Sequence, residues 1–137
     1  MDKSHVGHLV YHILPQNMPF YRDLFVFLGF KILFDDPAML GLGDEHGTSI
    51  WFGGILRDVQ NDYDGPGLNH LGLNVTSQGD VDEAVTYLRS KGIDALFETP
   101  RHRPEFTGNP KNTYYQVMFE SPDRLLFEIV YIGPLGE

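Results

Sequence analysis

Twice along this chain a short stretch alternates with the strand period of two. In residues 6–13, Leu9, Tyr11 and Ile13 fall on one side and His8, Val10 and His12 on the other; in residues 68–75, Leu71, Leu73 and Val75 oppose His70, Gly72 and Asn74. The first side of each is wholly apolar and is expected to pack beneath a helix. The second is neither a charged solvent face nor a pure core, the mixture that lines a cavity with a few placed polar groups.

The elements after each stretch recur as well, so the match is a repeat rather than a chance phrase. After His8, helical spacing runs over 18–28 through Phe20, Leu24, Phe27 and Leu28, with Pro19 in the first turn. Gly29-Phe30 breaks it, and extended runs come next at 31–34, 38–42 and 48–52. After His70, Val81, Ala84, Val85 and Leu88 make a helical stripe over 80–91, between an Asp80 and Glu83 capping signal and Gly92. Extended runs then occupy 94–97, 114–120 and 125–132. Each half reads as βαβββ, predicting an α+β fold of two modules, about 5–56 and 68–134, within one domain over 1–137. Residues 57–67 are rich in Asp, Gly and Pro and read as the linker. Residues 98–112, with Pro100, Pro104, Gly108 and Pro110, read as a long loop of the kind that binds or covers a ligand.

The final run contains one charge, Glu128, among seven apolar residues. A lone buried carboxylate is costly unless something compensates it, and a divalent cation is one such solution. A hydrogen-bonded polar cluster is another, and a charge that protects a sheet edge is a third. Pairing across the turn at 121–124 sets Glu128 opposite Val117, with Tyr115 and Phe119 diagonal on the same face. Tyr115 thereby becomes a substrate-contacting or catalytic candidate.

Composition narrows the partners. A formal charge of −9 argues against a nucleic-acid backbone, which needs clustered Lys and Arg. No apolar run approaches the roughly 20 residues that span a bilayer, and no signal-peptide core opens the chain, so the expectation is a soluble, cytoplasmic protein. With no cysteine, any metal must be held by His, Asp and Glu. At 137 residues, 42% of them hydrophobic, the chain can bury a core.

These residues resemble the vicinal oxygen chelate superfamily, which includes glyoxalase I, extradiol dioxygenases, fosfomycin-resistance thiol transferases and bleomycin-binding proteins. The resemblance rests on the two X-His-Leu strands, on Phe20-Tyr21-Arg22-Asp23-Leu24 leading to Leu28-Gly29-Phe30, and on Ser121-Pro122-Asp123-Arg124 followed by Phe127-Glu128. It implies two βαβββ modules whose strands form an open, curled mixed sheet, and it implies metal ligands at His8, His70 and Glu128. Trp51 falls where glyoxalase I-like members have a carboxylate, which leaves two histidines and one carboxylate, a set with open metal positions. Arg124 stands where a glycine is usual.

On this reading the protein is a metal-dependent enzyme of the dioxygenase, thiol transferase or lyase type acting on a small oxygen-rich substrate. The divalent ion is iron, manganese, zinc or nickel. Glu128, Tyr115 and His12 are its catalytic candidates. Trp51, Arg101, His102 and Arg103 are its substrate-binding candidates, the last three from the predicted loop. The alternative is a metal-free protein that sequesters an aromatic or cationic small molecule, as bleomycin-resistance members do. A homodimer is expected in either case.

Overall fold

The structure, a computed structural model, describes residues 1–136, which divide into two units between residues 60 and 61, inside the predicted linker. In the first, β1 (His8–Tyr11), α1 (Met18–Phe27), β2 (Lys31–Asp35), β3 (Met39–Gly43) and β4 (Ser49–Gly53) build a sheet of order β1-β4-β3-β2. In the second, β5 (Leu71–Val75), α2 (Gln78–Ser90), β6 (Leu96–His102), β7 (Asn112–Glu120) and β8 (Leu126–Pro134) build a sheet of order β5-β8-β7-β6. The first strand of each unit runs parallel to the last, and the remaining pairs are antiparallel. The βαβββ repeat read from the sequence is therefore the observed topology, as two open four-stranded mixed sheets in an α+β fold.

Period-two alternation decides which face each helix covers. In the first unit Leu40, Leu42, Ile50 and Phe52 share one face and are buried with Tyr21, Leu24 and Phe25 of α1. The Phe52 ring lies 4.4 Å from that of Tyr21, 5.4 Å from Phe25 and 5.6 Å from Tyr11. Arg22 of α1 clasps Asp35 of β2 through two 2.8 Å bonds, which hold the Asp35 carboxyl below the usual carboxylate range. In the second unit Leu73, Val117, Phe119, Phe127 and Ile129 form the corresponding core face, and Val81, Ala84 and Leu88 of α2 are buried with them.

Both helices end alike. Gly29 (φ 94°) and Gly92 (φ 74°) take the left-handed turn, and Phe30 and Ile93 donate back to the carbonyls of Phe25 and Leu88. The start of α2 differs from expectation. Ser77, not Asp80, is its cap: the Ser77 hydroxyl accepts from the Asp80 amide at 3.0 Å, while Asp80 accepts from Thr76. Ser77→Ala is expected to lower stability by about 1 kcal/mol in urea denaturation. A loss below a few tenths would show that the cap contributes nothing.

The predicted loop at 98–112 is also shorter than expected. β6 continues to His102, with Arg101 paired to Gln116 and His102 to Tyr115, after a bulge between Leu96 and Arg101. Pro100 is accommodated because β6 is the outer strand of its sheet, where a missing N–H breaks no ladder. At the β7–β8 turn, Arg124 adopts φ 57°, the backbone that explains why glycine suits this position. Its guanidinium donates to the Asn61 carbonyl and lies 4.9 Å from the Tyr63 ring centre.

Candidate functional site

Glu128 lies on β8, an inner strand of its sheet, and is 4% exposed. The edge-charge reading of this residue is therefore wrong. Its carboxylate is compensated by two donors from β7: Tyr114 gives its hydroxyl hydrogen to Oε1 at 2.7 Å, and Gln116 gives an amide hydrogen to Oε2 at 2.6 Å. Tyr114 and Gln116, which are not among the candidates read from the sequence, thus make the polar surroundings of Glu128. Burial, and then the bond to Glu128, push the Tyr114 hydroxyl pKa far above that of an ordinary tyrosine.

The register is one residue away from the predicted one. Glu128 faces Met118, not Val117, because the β7–β8 turn closes with Glu120 opposite Leu126. A slip of one residue turns every side chain to the other face. Tyr115 consequently leaves the Glu128 face and its hydroxyl donates to Asp82 of α2 at 2.6 Å; burial, then that bond, raises its pKa to about 12. Gln116 takes the diagonal place expected of Tyr115, and Tyr114 follows two residues along on the same face. Sequence reading missed both, although an even register would have exposed the Tyr-x-Gln spacing.

Next to Glu128 stands Gly72 of β5, where a Cβ would lie 3.2 Å from Glu128 Oε1. Glycine here makes room for the carboxylate. Two residues earlier, His70 belongs to the same alternating set as Gly72. Its tautomer is set by its neighbours. Asn69 donates its amide hydrogen to the Tyr63 carbonyl at 2.9 Å, which leaves Asn69 Oδ1 as an acceptor 2.7 Å from His70 Nδ1. The neutral ring therefore carries its hydrogen on Nδ1 and keeps a lone pair on Nε2.

The first unit repeats this geometry with different chemistry. Trp51 pairs with Val10, two residues after His8, as Glu128 pairs with Gly72, two residues after His70. The indole takes the carboxylate's place in the sheet. Its N–H donates to Ser49 Oγ at 2.9 Å, and its ring lies across Gly41, where a Cβ would come within 2.4 Å of it. Phe34 stands 6.4 Å away, centre to centre. His8, Val10 and His12 are all exposed. Gly41→Ala is expected to drive the ring off the sheet at a cost of about 1–3 kcal/mol. Since this is the single tryptophan of the chain, an unchanged fluorescence spectrum would refute the placement.

The remaining candidates lie around β6. His102 Nδ1 is 2.6 Å from the Thr113 hydroxyl, and its ring is 4.6 Å from Tyr115, so it belongs with Tyr115 and not with Glu128. Arg103 is held by Glu105 at 3.2 Å and lies over the Phe106 ring. Arg101 faces Gln116 in the sheet register, on the Glu128 side.

Each Glu128 oxygen accepts one hydrogen bond and retains a second acceptor site, and His70 Nε2 carries a lone pair, so both residues have ligand character. Among the described residues, no group of three or more His, Asp or Glu side chains gathers closely enough to hold an ion.

No protein-family profile matches the chain. The uncharacterized protein YqjT of Bacillus subtilis (strain 168) is 38% identical over 64 residues, 47% of this chain and 46% of that protein, so the match spans about half the length of the curated relative. Among solved structures, a candidate glyoxalase from Bacillus halodurans is similar at TM-score 0.75 and 24% identity, covering 92% of this chain and 94% of that one. A glyoxalase/dioxygenase from Nostoc punctiforme is similar at TM-score 0.73 and 18% identity, covering 94% and 91%. A glyoxylase/bleomycin resistance protein/dioxygenase domain from Frankia sp. EAN1pec is similar at TM-score 0.65 and 21% identity, covering 100% and 96%. At these identities the likeness is one of fold. Among the described residues no helix is long and apolar enough to cross a membrane.

Proposed function

Because this chain has the fold of the glyoxalase, bleomycin resistance and dioxygenase proteins, we propose that it is a divalent-metal-dependent enzyme acting on a small oxygen-rich substrate, with His8, His70 and Glu128 as the metal ligands. The observation that carries this reading is the preparation of Glu128. A buried carboxylate is oriented by Tyr114 and Gln116 and set beside Gly72, two residues after His70 in the chain. Such outer hydrogen bonds fix ligand orientation and tautomer in metal sites. When bound, a divalent ion supplies Lewis-acid stabilisation of the negative charge that develops on a substrate oxygen.

The chain's own groups supply the rest. Tyr114 and Gln116 hold the carboxylate in one orientation, and Asn69 holds the His70 ring. His12 and Arg101 are the side chains proposed to handle a proton and an anionic group. His8 is the third ligand of the proposal, and a homodimer is proposed as the assembly. Iron, manganese, zinc and nickel all suit the ligand set, and a cytoplasmic setting suits a chain without cysteine.

A second reading, metal-free sequestration of an aromatic or cationic small molecule, is favoured by one observation: an indole lies flat where a fourth ligand would stand. Metal analysis separates the two. The enzyme reading expects one equivalent of metal in protein purified without added metal, lost in each of His8→Ala, His70→Ala and Glu128→Ala. Metal-free protein, or a content that none of the three changes, overturns it. Light scattering is expected to return twice the mass of one chain, and a single-chain mass at micromolar concentration rejects the dimer.

A further inference from the structure

Two buried polar atoms of the second sheet, Arg101 Nε and Gln116 Oε1, have no hydrogen-bond partner. They belong to residues paired directly across β6 and β7, on the side of the sheet that carries Glu128. One is a donor and the other an acceptor.

The orphaned acceptor cannot be relieved by turning the amide. Gln116 is 3% exposed, and its nitrogen is committed to Glu128 Oε2, which accepts hydrogen bonds and donates none when ionised. Its oxygen therefore stays where the structure has it. The guanidinium is almost as poorly matched. Its nearest carboxylate oxygen belongs to Glu98, 3.6 Å from Nη1, and the Glu98 side chain is 88% exposed, so a ligand displaces it at little cost. A buried donor or acceptor without a partner is a standing penalty that a complementary ligand removes.

We propose that Arg101 and Gln116 form a subsite for a small hydroxy acid, whose carboxylate accepts from the Arg101 guanidinium while its hydroxyl donates to Gln116 Oε1. The chemical class follows from the pair. A plain carboxylate satisfies Arg101 and leaves the amide oxygen bare, whereas a neutral alcohol satisfies the amide and leaves the cation bare. A molecule with the two groups on neighbouring carbons satisfies both. In a chain of formal charge −9, an anion also needs a local cation of this kind. The inference rests on the reading of the Glu128 side as the substrate side and narrows that substrate to a class.

The test uses calorimetric titration of the 137-residue chain treated with a chelator, so that no metal supplies the preference. Three probes are compared: lactate, propionate, which lacks the hydroxyl, and lactamide, which lacks the charge. Lactate is expected to bind about tenfold more tightly than either of the others, the size of effect that one satisfied buried group produces. Arg101→Gln is expected to reduce lactate to the level of lactamide. Equal affinity for lactate and propionate overturns the proposal, as does an Arg101→Gln variant that binds lactate like the parent. An ordered water bridging the two atoms, with no ligand preference, gives that negative result. Protein that proves metal-free still undergoes this titration unchanged, so failure of the metal-site reading and failure of the subsite are distinguishable.

Discussion

Glu128→Gln is expected to leave the protein folded while lowering its metal affinity by roughly a hundredfold or more, since an amide is a far weaker ligand for a hard divalent ion than a carboxylate. The replacement keeps the volume of the side chain. It also keeps an acceptor for Tyr114, which now donates at 2.7 Å. Its new N–H2 would meet the Gln116 amide nitrogen, which now stands 2.6 Å from Oε2. Gln116 then turns over and presents its oxygen, and its N–H2 group, moved to the place of the unpartnered Oε1, is left without a partner, a cost of about 1–3 kcal/mol. Glu128→Ala differs in kind. It strands the Tyr114 hydroxyl and the Gln116 amide together and opens a cavity, and about 3–5 kcal/mol of stability should be lost. Urea denaturation and metal titration on the two variants separate ligation from packing. A glutamine variant that retains full metal affinity removes Glu128 from the ligand set.

An expected loss of stability of the same size lies in the other unit. Phe52→Ala should cost about 3–5 kcal/mol, the range for deleting a fully buried aromatic ring. Phe52 is 0% exposed and touches Tyr11 of β1 and Tyr21 and Phe25 of α1 at stacking distances. These rings tie the helix to the strand that carries His8 and to the strand that carries Trp51. Phe34→Ala, on the half-exposed opposite face, is expected to cost less than about 1 kcal/mol. A loss below about 1 kcal/mol for Phe52→Ala, measured by chemical denaturation, would show that this face is not the core. Since domains are stable by only about 5–15 kcal/mol, the expected loss is a third or more of the whole for most of that range.

The site was less legible than the fold. The alternation around His8 and His70, the two glycine stops and the single charge in the last strand are local patterns, and each survives in the structure. The neighbours of Glu128 are not local. They depend on how the turn at 121–124 closes, and one residue of slip exchanged Tyr115 for Tyr114 and Gln116. The loop assignment of Arg101 and His102 failed for a related reason. Proline and glycine content signals irregular backbone, but an outer strand tolerates a bulged proline that an inner strand would not.

The amino-acid order alone was enough to establish the duplicated βαβββ plan, the apolar face beneath each helix and the residue types that have ligand chemistry. Those properties follow from periods of 2 and 3.6 residues and from side-chain identity, which need no partner strand to be read. Folding in three dimensions chose the register of β7 on β8, and with it which donors satisfy Glu128 and which buried atoms, on Arg101 and Gln116, are left without one. That choice belongs to the turn and to the competition between two faces for burial, and neither is written in any single segment.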